Sequence, residues 1–311
     1  MESVIAAKIQ KYLIVVAGPT AVGKTSLSIR LARDLGCPIL SADSRQFFRE
    51  MNIGTAKPSP EELQAVPHFF VNSRSIHEHY SVGDFEEEAL KVLDEQFRDY
   101  NPLLMTGGSG LYIKAVCQGL DKFPEVPLSI RNEIEQEFLE KGLVFLQQRL
   151  QQADPEYFSV VDRQNPHRLI RALSVYRASG KPYSSFRKGN KKIRPFETIY
   201  LHLSRDREEL YQRINQRVDI MMEEGLLEEV KSLHAYKNLT ALQTVGYQEL
   251  FDFLDGKCSL DEAVEKIKQN SRRYAKRQIT WLRKEIPSPV FHPEKPDAIL
   301  NYLKTIIHQG T

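Results

Sequence analysis

The 311-residue chain has only three cysteines, one tryptophan and no long apolar run, and each scarcity excludes something. Cys37, Cys117 and Cys258 are far apart, odd in number and without a C-x-x-C spacing, so neither a disulfide framework nor a zinc site is expected. The longest apolar run, residues 12–17, is too short to cross a bilayer, and the N-terminal segment lacks the basic-then-apolar pattern of an export signal. An excess of one charge is also missing: 43 Lys and Arg face 41 Asp and Glu, a formal net charge of +2. Global charge therefore announces no polyanionic partner, and any such signal must lie in local clusters. With no internal repeat and no low-complexity segment, the expectation is a globular protein of a reducing cytoplasm, built as one large domain or as a core with a smaller companion.

What the chain does have is Gly18-Pro19-Thr20-Ala21-Val22-Gly23-Lys24-Thr25, after the apolar run Tyr12 to Ala17 and before Leu27, Ile29, Leu31 and Ala32. This reads as strand, glycine loop and helix. The spacing G-x-x-x-x-G-K-T is that of a phosphate-binding loop: glycines let successive N–H groups turn inward, Lys24 adds a point charge and the Thr25 hydroxyl suits Mg²⁺. The helix opening near Lys24 contributes its positive dipole end. A plain glycine turn is the bland alternative, and the intact match in this setting outweighs it. The loop binds phosphate or pyrophosphate without saying which molecule carries it.

A short strand at 38–41 then delivers Asp43 at its carboxyl end, and in an open parallel sheet that edge is where ligands gather. Asp43-Ser44-Arg45-Gln46 should therefore face the same crevice as the loop, although an Asp that merely caps a turn is an even alternative. In the turn-rich stretch 51–58, Lys57 reads as solvated. His68, His77 and His79 lack metal-pair spacing. From Asp84, an amphipathic helix buries Phe85, Ala89, Leu93 and Phe97 and turns Glu86, Glu87, Lys91 and Glu95 largely outward. A strand at 102–105 leads into Thr106-Gly107-Gly108-Ser109-Gly110, where a hydrolytic NTPase would usually carry a metal-orienting Asp. The glycines there either let helix and sheet approach closely or admit a nucleotide to the backbone.

Pro124 and Pro127 mark a boundary, after which helices at 130–138, 143–150 and 166–178 suggest an inserted bundle. The last of these carries Arg168 and Arg171 on one flank. Residues 186–194 then hold five basic residues and no acid, a solvated face or a phosphate-backbone footprint. After a strand at 198–203, a helix places Arg213 and Arg217 four apart, either closing over departing phosphates or paired with Glu208, Glu209 or Glu223. Finally, Lys266 to Lys284 has eight basic residues and no acid, with Ile267, Tyr274 and Trp281 on one stripe: a basic helix seated by its apolar side.

The loop at 18–25 together with Ser41-Ala42-Asp43-Ser44-Arg45-Gln46, Ile53-Gly54-Thr55-Ala56-Lys57-Pro58, Gly107-Gly108-Ser109-Gly110-Leu111-Tyr112, His167 to Leu173, Val245-Gly246-Tyr247-Gln248-Glu249 and Tyr274 to Trp281 resembles the bacterial tRNA dimethylallyltransferase (isopentenyltransferase) family, in order and across nearly the whole chain. Ser109 stands where members often have Thr, and His167 where they often have Gln.

The resemblance implies an α/β fold with a P-loop NTPase-like core, a parallel sheet flanked by helices, at 1–125 and 195–311, and a helical tRNA-binding insertion at 126–194. It implies transfer of a dimethylallyl group from dimethylallyl diphosphate to the exocyclic amine of the adenine 3′ to the anticodon, with Mg²⁺ as cofactor. The target base would be flipped out of the anticodon loop. By the same resemblance Asp43 would be the base, with Thr25 and Arg217 beside it in catalysis. Gly18, Thr20, Ala21, Val22, Gly23, Lys24 and Thr25 would hold the diphosphate, and Thr25 the metal. Asp43, Ser44, Arg45, Gln46, Ser109, Arg131, His167, Arg168, Leu169, Ile170 and Arg171 would contact the anticodon stem-loop. A cytoplasmic monomer with no membrane partner is expected. The rivals are a P-loop small-molecule kinase, transfer to free AMP, ADP or ATP, and a non-catalytic RNA-binding protein.

Overall fold

The computed structural model describes residues 10–189 and 191–309. Tyr12–Ala17 form β1, buried along its whole length, as a parallel strand covered on both faces must be. The chain continues through α1 (Lys24–Leu35), β2 (Ile39–Ser41), α2 (Pro60–Ala65), β3 (His68–Phe69), α3 (Val82–Gln96), β4 (Leu103–Gly107) and α4 (Gly110–Gln118). Three helices follow without a strand, α5 (Leu128–Ala153), α6 (Pro155–Val160) and α7 (Pro166–Ser179). Then come β5 (Glu197–Leu203), α8 (Arg207–Glu223), α9 (Leu226–Leu233), α10 (Tyr247–Leu254), α11 (Leu260–Glu285), β6 (Val290–Phe291) and α12 (Pro296–Gln309).

The six strands make one parallel sheet in the order β3, β2, β4, β1, β5, β6, a P-loop NTPase-like α/β fold. Because β2, β4 and β1 are neighbours, the turns after Ser41, Gly107 and Ala17 open side by side at the carboxyl edge. That edge is tightly built. The Ala42 N–H donates to the Thr106 carbonyl at 2.7 Å, and a Cβ on Gly107 would lie 2.5 Å from the Ala42 carbonyl oxygen. On Gly108 it would meet the Gln278 amide at 2.2 Å, and on Gly110 the Trp281 ring at 2.1 Å. The glycines at 107, 108 and 110 serve close packing.

Local chemistry explains the flanking helices. Helix α1 buries Leu27, Ile29, Leu31 and Ala32, ends on Gly36 at φ 64°, and ties to β4 through the Ser28 hydroxyl, which donates to Thr106 at 2.9 Å. Helix α3 opens with a Ser81–Asp84 capping box and buries Phe85, Ala89 and Leu93, the box alone being worth about 1 kcal/mol. Glu86 departs from its expected outward placement: it is buried and paired with Arg194 at 2.7 Å. The two-residue strands β3 and β6 extend the sheet at its edges, and runs that short carry no periodic signal.

The chain divides into two compact units, one of residues up to 118 and from 193 onward, the other of 119–192. In the second, Ile134, Leu146, Leu150, Leu169 and Leu173 form a shared core. Gly142, at φ 78°, interrupts the helical backbone within α5. Asp154 is buried there, accepting the N–H groups of Tyr157 and Ser184 and the Ser184 hydroxyl.

Candidate active site

The loop from Gly18 to Thr25 joins β1 to α1, with Ala21 and Gly23 in the left-handed region at φ 61° and 106°. Lys24 folds back over it, donating Nζ to the carbonyls of Gly18 at 3.1 Å and Pro19 at 2.8 Å. Burial pulls the Lys24 pKa down to about 8, helped by the Arg217 charge and opposed by Asp43. Three arginines grip the other side of the loop. Arg205 Nε donates to the Val22 carbonyl at 2.9 Å, Arg213 Nε to that of Ala21 at 3.0 Å, and the Arg217 guanidinium to the Thr20 hydroxyl at 3.4 Å.

Arg213 and Arg217 thus face the phosphate loop. Of the glutamates considered as their partners, Glu209 is taken by Arg205, which Glu294 also holds at 2.8 Å. Burial lowers the Arg217 pKa and Arg213 adds to the effect, while Asp43 and Glu62 favour its charge. Such crowding of cations is what an anionic ligand relieves.

Asp43 lies just past β2. Its Oδ1 accepts the Arg45 N–H at 3.0 Å. The Ser44 N–H donates to the Ser109 hydroxyl at 2.9 Å, and that hydroxyl donates to Ser44 Oγ at 3.1 Å. The Tyr274 phenol is pushed up to about 12, first by burial and then by the Asp43 charge. Burial also lowers the Arg45 pKa. The Gln46 amide has its orientation fixed: Oε1 accepts the Ser41 hydroxyl at 3.1 Å, and Nε2 donates to the carbonyls of Thr55 at 3.3 Å and Ala56 at 3.0 Å. Lys57 is no solvated lysine. Its Nζ bonds the Phe48 carbonyl and the side chains of Asn52 and Asn72, and burial takes its pKa down to about 8.

In the helical unit, His167, Arg168 and Arg171 are exposed on α7, with Arg171 5.8 Å from the Phe123 ring. Leu169 and Ile170 are core residues, at 0% and 6% exposure. Their side chains pack inward and are not part of the exposed face that His167, Arg168 and Arg171 present. Arg131 is paired with Glu135 at 2.8 Å. The basic run also divides: Lys188 and Lys191 are exposed, Arg187 stacks 5.1 Å over Tyr157, and Arg194 is spent on Glu86. Asn190 lies outside the described residues. A cavity of about 180 Å³ lined by Ile134, Glu137, Arg149 and Arg177 carries a partly exposed ion cluster, Glu137 bridging both arginines. Among the described residues no group of three or more His, Cys, Asp or Glu could hold a metal, and no helix is long and apolar enough to cross a membrane.

The family model for IPP transferase matches residues 46–285. The chain is 48% identical over 292 residues to tRNA dimethylallyltransferase 1 of Bacteroides thetaiotaomicron, covering 94% of this chain and 95% of that protein. It is 53% identical over 279 residues to the tRNA dimethylallyltransferase of Flavobacterium psychrophilum, covering 88% and 91%. The crystal structure of a tRNA isopentenylpyrophosphate transferase from Bacillus halodurans superposes with a TM-score of 0.71 at 34% identity, over 97% of this chain and 98% of that one.

This chain belongs to the tRNA dimethylallyltransferase family.

Two residues of this dimethylallyltransferase family member shape the site although the sequence reading assigned them no role. Gln278 of α11 accepts the Thr20 N–H at 2.8 Å and donates to the Gly108 carbonyl at 2.9 Å, tying the phosphate loop to the turn after β4. Its signal was a polar side chain in register with buried Ala275 and Leu282. Glu229 of α9 accepts the N–H groups of Asn52, Ile53 and Gly54 and the Tyr247 hydroxyl. Nothing in its local sequence sets it apart from neighbouring glutamates.

Proposed function

We propose that the chain transfers a dimethylallyl group from dimethylallyl diphosphate to the exocyclic 6-amino group of the adenine immediately 3′ to the anticodon of tRNA, releasing diphosphate. The observation that carries this is the position of Asp43: it follows β2 at the carboxyl edge of the sheet, one strand removed from β1 and the loop at 18–25, near enough for its charge to favour the charged forms of Lys24 and Arg217. A proton acceptor and a diphosphate cradle therefore share one crevice. The family relatives support the acceptor, since the matched proteins are named as tRNA dimethylallyltransferases.

In this reading the amine nitrogen bonds the allylic carbon as the carbon–oxygen bond to diphosphate breaks. Charge developing on the departing oxygen meets the N–H groups of the loop at 18–25, Lys24 and Arg217, donors already in place before the reaction. The nitrogen becomes acidic only as the new bond forms, and Asp43 takes its proton. One Asp43 oxygen is committed to the Arg45 turn, which leaves the other for that proton. Ser44, Arg45 and Gln46 hold the base, and Ser109 orients Ser44. Mg²⁺ fits this place, because Thr25 stands in the first turn of α1 directly after the loop, where a P-loop hydroxyl meets the ion alongside substrate phosphates. Thr25 would hold it, and when bound it would neutralise diphosphate charge. His167, Arg168, Arg171 and Arg131 offer the helical unit's surface to tRNA phosphates. We place the protein in the cytoplasm, as a monomer.

The test is incubation with dimethylallyl diphosphate, Mg²⁺ and either unmodified tRNA, AMP or ATP, followed by mass spectrometry of nucleosides. Prenylated adenosine from tRNA alone is expected. Prenylated AMP or ATP with unmodified tRNA would replace the acceptor, and ATP consumption without prenylation would replace the reaction class.

A further inference from the structure

We infer that Glu229 is a positioning residue for the acceptor base, acting on Gln46 through the turn at 52–57. The inference rests on the proposed reading, in which Gln46 holds the adenine.

Three successive N–H groups, from Asn52, Ile53 and Gly54, converge on the Glu229 carboxylate at 2.9, 2.9 and 3.1 Å, and the Tyr247 hydroxyl donates to it at 2.6 Å. Consecutive amides gathered around one anion form a nest, and hydrogen bonds to a charged acceptor are about twice as strong as neutral ones. Gly54 is pressed so closely on Tyr247 that a Cβ would lie 2.5 Å from its ring, so the turn has no room to shift toward α10. The same turn presents the carbonyls of Thr55 and Ala56 to Gln46 Nε2. With both amide hydrogens taken there and Oε1 accepting from Ser41, the Gln46 amide is held in one of its two flipped orientations. Oε1 retains one lone pair, so the carboxylate on α9 determines which atom of Gln46 is offered to a base edge. An inverted amide would present the wrong donor pattern to adenine.

The test is a double-mutant cycle in single-turnover transfer to tRNA, with dimethylallyl diphosphate saturating. Glu229→Gln keeps the shape and removes the charge, so the transfer rate should fall roughly tenfold, about what one lost charged hydrogen bond gives. The KM for dimethylallyl diphosphate should stay unchanged. In a Gln46→Ala background the same change should have little further effect, which is the signature of action through Gln46. Tyr247→Phe, which removes one donor and keeps the ring on Gly54, should show a smaller loss in the same direction. Multiplying effects of Glu229→Gln and Gln46→Ala, or a parallel loss of donor binding, would make Glu229 a purely structural strut. An unchanged rate in both Glu229→Gln and Tyr247→Phe would also overturn the inference. A wild-type chain that fails to prenylate tRNA would instead sink the proposed function.

Discussion

The backbone N–H of Thr20 donates to Oε1 of Gln278 at 2.8 Å, joining the phosphate loop to a helix 258 residues further along the chain. The other end of that amide donates to Gly108, so one buried side chain sets the spacing between two turns of the sheet edge. Gln278→Ala should leave both groups unsatisfied, costing about 1–3 kcal/mol, and should raise the KM for dimethylallyl diphosphate. Denaturant midpoints and donor kinetics check this. A variant of wild-type stability and wild-type donor KM would show that Gln278 only fills space.

The loop, its strand and α1 were legible because their signal is local: an apolar run, a fixed glycine spacing and a helical period. Asp43 was legible as a strand-end residue, but its turn and its electrostatic reach to Lys24 and Arg217 come from the neighbouring strands. Long-range partners left no mark. Glu86 looked like a surface acid until Arg194, 108 residues away, neutralised it. Lys57 looked solvated because two of its partners, the Phe48 carbonyl and Asn72, lie outside its own turn. The glycines at 107, 108 and 110 admitted two readings until Ala42, Gln278 and Trp281 were placed against them.

Lys24 gives the site a pH dependence. Its folded pKa of about 8 lies below the ordinary 10.5, so the unfolded chain holds this proton at pH values where the folded one has lost it. The charged form therefore costs stability below about pH 8, and that cost is relieved as pH rises from about 8 to 10.5. A bound diphosphate needs the charged form. The dissociation constant of dimethylallyl diphosphate should then rise with pH above about 8, and Lys24→Met should weaken binding at pH 7 and remove that rise. Parallel pH profiles for the two proteins would assign the titration elsewhere.

Arg217→Ala should chiefly raise the KM for dimethylallyl diphosphate and leave tRNA affinity nearly intact, because the guanidinium faces Thr20 of the loop. Lysine should rescue only partly, since it lacks the planar fork that grips two oxygens. Donor kinetics of the three proteins decide the matter, and full activity of the alanine variant would remove Arg217 from the diphosphate site.

Replacing Lys188 and Lys191 with alanine should weaken tRNA binding and flatten its salt dependence by up to about one log–log unit per lost phosphate contact. Both are exposed, unlike Arg194. Filter binding across a salt series, with donor binding as control, gives the answer. An unaltered slope would make this run solvated surface.

The central claim is that Asp43 takes the amine proton, and single-turnover transfer by Asp43→Asn across an Mg²⁺ titration tests it most directly. The change keeps size and much of the hydrogen bonding but removes the charge, so the rate should fall roughly 10²–10⁴-fold at every metal concentration, with tRNA and dimethylallyl diphosphate still bound. A rate that recovers at high Mg²⁺ would contradict the claim and make Asp43 a metal-holding residue.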